Sequence, residues 1–232
     1  MDTVEYSPGR SADVYGDAAQ PTVLMWHGAQ TDSRAAMRPL AERVHGHGLA
    51  VVLADWDSHA DDAGRADLVA SARFAHQRAG GASLTVVGWS MGGTCAVDLA
   101  VMHPDLFSYF DDIAGDLSPN SGTKSQTIDR LFGGNAAAYA AFDPTTVMTR
   151  HGRYTGVTGR FDINSEAPPE QSAAANSLCA LGTANGVSCS VVVAPGKHDW
   201  PYAAHAFATA LPAMAAQLGT PNARTAGVQP VR

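Results

Sequence analysis

A serine flanked by glycines stands where an apolar run gives way to a helical pattern. The stretch Gly88-Trp89-Ser90-Met91-Gly92 fits Gly-x-Ser-x-Gly, with SLTVVGW before it and MGGTCAVDLAVMHP after it. At a strand-to-helix turn this pattern holds a serine hydroxyl above the edge of a sheet. The glycines let strand and helix approach where a Cβ would clash. The stretch predicts Ser90 as a nucleophile, against the alternative of a polar residue in a glycine-rich turn.

A serine hydroxyl needs a base, and His198 is the histidine best placed to serve. It lies in PGKHDW, directly after the last predicted strand, SCSVVVAP. A loop at that place can carry an imidazole over the serine, although a solvated loop histidine is the alternative. His59 lies in DWDSHADD, where carboxylates could hold a metal. Acidic helix N-caps explain that segment more simply.

The base in turn needs a carboxylate that orients the imidazole and stabilises its protonated form. The order serine, acid, histidine places this acid after the penultimate strand. YTGVTGRFD puts Asp162 just past the strand predicted at RYTGVTG, with Glu166 as the second candidate. Asp116 and Asp143 lie in an insertion and fit less well, and Asp199 adjoins the histidine too closely. Asp162 is therefore the predicted acid.

Two backbone amides are expected to form an oxyanion hole. The amide of Met91 lies at the start of the helix that follows the serine, where the helix end is positive. The second amide is expected from the loop WHGAQTDS, with Ala29 as first candidate and Gln30 as second. Gly28 permits the turn that points an amide inward, and His27 is expected to brace this loop by hydrogen bonds.

These residues require a scaffold of alternating strands and helices. Apolar runs alternate with helical patterns along the chain, with strands at PTVLMWHG, LAVVLADW, SLTVVGW, FSYFDDIAG, RYTGVTG and SCSVVVAPG. Continuous apolar strands between helices indicate an α/β fold, a mostly parallel sheet with helices on both faces. Ligands of such folds bind beyond the carboxyl ends of the strands, where the candidate residues fall.

Length and composition bound the domain organisation. The chain has 232 residues, of which 45% are hydrophobic, enough for one sizeable core. We predict a single domain over residues 1–220, with a cap-like insertion of short helices at 116–152. Residues 221–232 are predicted to form a flexible tail.

Charge and hydropathy argue against two classes of binding partner, nucleic acids and the membrane interior. The formal net charge is −7 and there is no basic block, which argues against a nucleic-acid partner. No apolar run is long enough for an integral membrane segment, and the N-terminus lacks the order of a signal peptide. The oligomeric state stays open.

The three cysteines lack zinc spacing and are too few for a disulfide framework. Cys95 is expected to be packed in the helix after the serine. Cys179 and Cys189 flank a helix-to-strand connection and either pair or stay free. A pair would favour a secreted or cell-envelope protein, and free thiols a cytoplasmic one.

The motifs HGAQ, GWSMGG and HDW stand in the order of the α/β-hydrolase superfamily, which the chain resembles over nearly its whole length. FDDIAGDLSPNSG, LFGG…AFDP and GKHDWPY are similar to the esterase group that includes esterase D and the antigen 85 mycolyltransferases. The resemblance implies a triad of Ser90, Asp162 and His198, no metal or organic cofactor, and acyl transfer through an acyl-enzyme.

The sequence thus predicts a serine esterase acting on small-molecule, lipid or sugar esters with short to medium acyl chains. Alternatives are an acyltransferase to an alcohol or sugar, and a non-catalytic binding module on the same fold. Trp89, Trp200 and Leu117 are expected to contact substrate, together with Phe132 in the insertion. Ordinary core packing is the alternative for each.

Overall fold

One mixed sheet organises the molecule. The computed structural model describes residues 1–29, 33–58 and 62–219, so the tail predicted at 221–232 lies outside the described residues. The strands are β1 (Asp2–Ser7), β2 (Arg10–Tyr15), β3 (Thr22–Trp26), β4 (Ala50–Ala54), β5 (Leu84–Trp89), β6 (Phe107–Ile113), β7 (Thr158–Asn164) and β8 (Ser188–Ala194). Their spatial order is β1-β2-β4-β3-β5-β6-β7-β8.

Helices cover both faces of this sheet. They are α1 (Ser33–Gly46), α2 (Asp62–Arg78), α3 (Met91–Met102), α4 (Lys124–Phe132), α5 (Ala136–Phe142), α6 (Pro144–His151), α7 (Pro169–Ala184) and α8 (Trp200–Gln217). One core packs α2, α3, α6 and α7 against the sheet, and a second packs α1 and α8 against the opposite face. This double cover explains why β3, β4 and β5 are buried throughout, and it confirms the predicted α/β class.

The sheet edge formed by the first two strands was not predicted from the sequence. β1 pairs antiparallel with β2, and β2 pairs antiparallel with β4, whereas the pairs from β4 to β8 are parallel. No apolar run in the sequence predicts β1 or β2. β1 (DTVEYS) is a largely exposed edge strand, and β2 (RSADVY) carries the buried Asp13 among its apolar residues.

The penultimate strand lies later than predicted. RYTGVTG was expected to form it, yet β7 begins at Thr158, after a loop in which Gly156 has φ 74°. Within β7, Arg160 and Asp162 alternate with Phe161 and Ile163, so buried polar groups share a strand with core residues. The prediction that Asp162 follows the strand is therefore wrong, since it lies inside it.

Three short helices occupy the segment predicted as an insertion, where the sequence suggested two. α4 starts at a capping box in which Thr123 and Gln126 bond each other's backbone amides. The carboxylate of Asp143 accepts a hydrogen bond from the Thr146 amide at 3.0 Å, and Pro144 begins α6. The division of the chain into domain, insertion and tail stays a prediction.

Cys179 on α7 and Cys189 on β8 form a disulfide, with 5.4 Å between their Cα atoms. This decides between the two alternatives left by the sequence. Cys95 is a free thiol, in the helix where it was expected. Within residues 1–29, 33–58 and 62–219, no helix has both the length and the apolarity to cross a membrane.

Candidate active site

Ser90 lies at the sharp turn between β5 and α3. Its backbone has φ 55° and ψ −122°, and its amide donates to the Ile113 carbonyl at 2.9 Å. A Cβ at Gly88 would overlap the Gly92 carbonyl, and one at Gly92 would overlap the His27 carbonyl. Both glycines are therefore required sterically, as the sequence pattern suggested.

The structure brings the predicted base to the predicted nucleophile. His198 Nε2 lies 3.0 Å from Ser90 Oγ, within hydrogen-bond distance. The His198 ring stacks on Trp89, with ring centroids 4.5 Å apart and planes 29° from parallel. Trp200 contacts the same indole at 5.6 Å between centroids. The imidazole is thus held over the serine by an aromatic face.

Asp162 does not reach this imidazole. Its two carboxylate oxygens accept hydrogen bonds from Arg160 Nε at 2.6 Å and Nη2 at 2.8 Å. Arg160 Nη2 also donates to Thr209 Oγ1 on α8 at 3.1 Å, so this ion pair faces α8. The structure therefore corrects the predicted acid. Because Asp162 lies within β7, its side chain is fixed along the sheet and not in the loop above it.

Glu166, the second candidate acid, lies in a turn that is hydrogen-bonded to the loop before His198. The Glu166 amide donates to the Gly196 carbonyl at 3.2 Å, and the Gly196 amide donates to Ser165 Oγ at 3.2 Å. The Ser165 amide also bonds the Ala194 carbonyl at 2.9 Å. The Glu166 side chain is exposed, and the described residues give it no hydrogen bond to His198. The chain after β7 and the chain before His198 are nevertheless fixed together.

The two predicted oxyanion amides flank the serine. Met91 is the first residue of α3, so its amide has no partner within the helix. Ala29 lies on the wall of the same cavity as Ser90 and His198. A Cβ at Gly28 would lie 3.1 Å from Ser90 Cβ, which shows how closely this loop approaches the serine. Gln30, the other candidate, lies outside the described residues.

A cavity of about 290 Å³ opens at Ser90. Apolar side chains from α2, α3 and the short helices form most of its wall: Leu68, Met91, Leu99, Leu131, Phe132 and Phe142. The guanidinium of Arg65 lies over the Phe132 and Phe142 rings, 5.2 and 4.6 Å from their centroids. Phe132 was predicted as a substrate contact, and Leu99 could have been found from its helical spacing, eight residues after Met91 on α3.

The three residues predicted to contact substrate do not line this cavity. Trp89 is buried in the core on the α8 face, because the last side chain of β5 points away from α3. Trp200 packs beside it, and Leu117 packs against the core on the other face. The packing alternative therefore describes all three better, with Trp89 additionally supporting His198.

His27 braces the loop as predicted. Its Nδ1 lies 2.7 Å from the Gly28 carbonyl and its Nε2 lies 3.3 Å from Asp55 Oδ1. Burial lowers the pKa of His27, against the smaller opposing effect of its hydrogen bonds, so the neutral ring is favoured. His59 lies outside the described residues. Within the described residues no cluster of three metal-ligating side chains occurs.

Three buried carboxyl groups lie on α3 and β6, the two elements that adjoin the Ser90 turn. Asp98 on α3 and Asp111 and Asp112 on β6 are each at most 4% exposed. Burial raises the pKa of each carboxyl well above its usual value, and neighbouring acids reinforce the shift. The Gly115 amide donates to Asp112 Oδ1 at 2.8 Å. The sequence did not predict these buried groups. Nothing in FDDI indicates that Asp111 and Asp112 are both buried, and nothing in the α3 sequence indicates that Asp98 is.

Comparison with known proteins agrees with this fold. Residues 66–218 match a family model described as "Putative esterase". An uncharacterized protein of Corynebacterium glutamicum is 34% identical over 122 residues, which cover 50% of this chain. Those residues cover only 28% of that relative, so the chain spans well under half of its length.

Several solved structures share the fold at low sequence identity. An S-formylglutathione hydrolase from Agrobacterium tumefaciens superposes with a TM-score of 0.73 at 16% identity, over 90% of both chains. Esterase 2 of Thermogutta terrifontis gives 0.73 at 15% identity over 94% of both chains. The fluorophosphonate-binding serine hydrolase F of Staphylococcus aureus gives 0.71 at 15%, over 94% of this chain and 98% of that one. The chain therefore has the α/β-hydrolase fold, and it belongs to the family described as "Putative esterase".

Proposed function

We propose that the chain hydrolyses carboxylic esters through an acyl-enzyme formed on Ser90. The observation that carries the proposal is the 3.0 Å contact between Ser90 Oγ and His198 Nε2 at the mouth of a largely apolar cavity. Family membership supports the same chemistry. A serine so paired is the usual arrangement for nucleophilic acyl transfer.

The reaction has two halves. Ser90 Oγ attacks the ester carbonyl while His198 Nε2 takes the hydroxyl proton, and the amides of Met91 and Ala29 stabilise the resulting oxyanion. His198 then gives the proton to the leaving alcohol. Water attacks the acyl-enzyme by the same route and releases the acid. Loss of one oxyanion donor is expected to raise the barrier by roughly 3 kcal/mol.

We assign the orienting carboxylate to Glu166. Asp162 is held by Arg160 in the sheet, whereas Glu166 lies in the turn whose backbone bonds the loop that carries His198. Its side chain is exposed in that turn. In serine hydrolases the acid stabilises the imidazolium that forms during attack.

Covalent labelling tests the nucleophile. Wild-type protein treated with a fluorophosphonate is expected to gain one adduct, located on Ser90 by peptide mass spectrometry, and to lose p-nitrophenyl acetate hydrolysis in parallel. Ser90→Ala is expected to abolish both labelling and turnover, because the attacking oxygen is gone. Ser177→Ala, at an exposed serine on α7, is the matched control and should behave as wild type.

Two results would contradict the proposal. Hydrolysis by unlabelled wild-type protein in the presence of excess fluorophosphonate would exclude Ser90 as nucleophile. A folded protein with an unreactive Ser90 and no turnover would favour the non-catalytic binding module.

A further inference from the structure

A carboxyl group lies at the end of the cavity remote from the nucleophile. Asp98 lines the cavity wall, although the residue is only 4% exposed. Its Oδ1 has no hydrogen-bond partner among the described residues. Burying such a group without a partner is costly, so an unpartnered carboxyl in a binding cavity points to a ligand.

The cavity follows one face of α3. The α3 residues on its wall are Met91, Thr94, Cys95, Asp98 and Leu99. Their spacing is that of a single helical face. Asp98 comes eight residues after Ser90, which at 1.5 Å per residue is about 12 Å along the helix. The cavity therefore runs about two helical turns from the nucleophile to the carboxyl.

The charges around Asp98 favour a ligand group that donates a hydrogen bond over one that accepts it. Burial and the nearby carboxyls of Asp112 and Asp143 raise the pKa of Asp98 well above its usual value. Asp116 adds a further acid to the cavity wall. Arg65 contributes positive charge, but its guanidinium packs over the rings of the short helices. A ligand group that donates a hydrogen bond, or carries a positive charge, would offset the cost of burying Asp98.

We infer that the cavity selects esters whose longer arm ends in a hydrogen-bond donor, an amine or a hydroxyl, and that Asp98 binds this donor. The inference rests on the proposed function, because the ester carbonyl must lie at Ser90. The arm between carbonyl and donor is apolar, matching Leu99, Leu131 and Phe132 on the wall. A protonated amine that reaches Asp98 favours loss of the carboxyl proton and pairs with the carboxylate, and a hydroxyl donates a hydrogen bond to the carboxyl group.

Kinetics on matched esters test the inference. The substrates are p-nitrophenyl esters with acyl arms of about six to ten carbons, sized to the roughly 12 Å rise, ending in amine, hydroxyl, methyl or carboxylate. A second series places the same ends on the alcohol arm of acetate esters. The series whose longer arm occupies the cavity should show the preference. In that series, kcat/KM for the ester ending in an amine should exceed kcat/KM for the ester ending in a methyl group by about 10- to 100-fold, with the hydroxyl ester between them. The carboxylate end should be the poorest.

Variants assign the preference to Asp98. Asp98→Asn should reduce the amine-to-methyl ratio strongly, and Asp98→Leu should abolish it, because each removes the charge or the acceptor. Asp129→Asn makes the same chemical change at an exposed position on α4 and should retain the wild-type ratio. Circular dichroism confirms that each variant is folded.

A binding measurement separates this inference from the proposed function. Calorimetry on Ser90→Ala compares hexylamine, hexanol and hexanoate, and does not depend on turnover. Tighter binding of the amine, lost in Ser90→Ala/Asp98→Leu, supports the assignment of Asp98 as the donor-binding group independently of turnover, and equal binding of the three compounds would overturn that assignment. Wild-type hydrolysis of p-nitrophenyl acetate without any end-group preference would overturn the inference and leave the proposed function standing.

Discussion

The backbone of Ser90 is held in a conformation that non-glycine residues rarely adopt. With φ 55° and ψ −122°, such a residue costs on the order of 1–3 kcal/mol. The hydrogen bond to Ile113 and the close contacts at Gly88 and Gly92 fix the turn in place. The strain is the reason that Ser90 Oγ stands clear of the sheet where His198 can reach it.

The assignment of Glu166 gives a test that separates it from Asp162. Glu166→Gln is expected to lower kcat by at least about 100-fold, because the imidazolium loses its carboxylate. Steady-state kinetics with p-nitrophenyl acetate measure the effect.

Asp162→Asn is the comparison. It leaves Arg160 facing α8 without its charged partner, so the main expected effect is a loss of unfolding free energy of about 3 kcal/mol. The folded fraction should keep kcat within a few-fold of wild type. A larger kcat loss in Asp162→Asn than in Glu166→Gln would return the acid to Asp162.

At the scale of elements, α7 and β8 are joined covalently just before the chain reaches His198. The disulfide closes a short loop, with a sequence separation of 10 between the cysteines. Cross-linking a loop of that size restricts the unfolded chain and stabilises the fold by about 2–3 kcal/mol. β8 is an edge strand of the sheet, so the bond secures the element that delivers the base.

Cys179→Ser is therefore expected to lower the free energy of unfolding by about 2–3 kcal/mol. Urea titration followed by circular dichroism measures the change. Wild-type protein in excess reductant should unfold at the same urea concentration as Cys179→Ser, since both lack the cross-link. Equal midpoints for oxidised wild type and the variant would show that the bond contributes nothing.

The strands that could be predicted from the sequence are those buried on both faces. The runs in β3, β4 and β5 were recognised because both of their faces are covered, which makes them continuously apolar. β1 carries mixed residues at an exposed edge, and the buried Asp13 interrupts the apolar residues of β2, so neither strand gave such a run. β7 was placed too early because its buried polar residues interrupt the apolar pattern.

For the molecule as a whole, the buried carboxyls predict an unusual response to pH. Asp98, Asp111 and Asp112 have a higher pKa in the folded chain than in the unfolded one. The folded chain then binds more protons above about pH 4, and its stability falls as pH rises. His27, whose pKa is lowered, acts in the opposite sense, but only below about pH 6.5.

From pH 5 to pH 9 the unfolding free energy of wild type should therefore decline wherever a buried carboxyl loses its proton, by up to about 1.4 kcal/mol per pH unit for each proton involved. Asp111→Asn should show a shallower decline, because the amide needs no proton and is the same size. Urea titrations across this range measure the slopes. Identical slopes for the two proteins would contradict the prediction.

The sequence by itself determined the α/β class, the sharp turn at Ser90 and the position of His198 after the last strand. Each depends on local rules: glycines where backbone approaches backbone, apolar runs for buried strands, and a histidine after the last strand. Only the tertiary structure decided that Asp162 pairs with Arg160, that Trp89 supports His198, and that Asp98 faces the cavity. These facts depend on which face of a strand or helix a side chain takes, and on which distant residues meet it there. Packing fixes both, and a linear pattern of residue types does not.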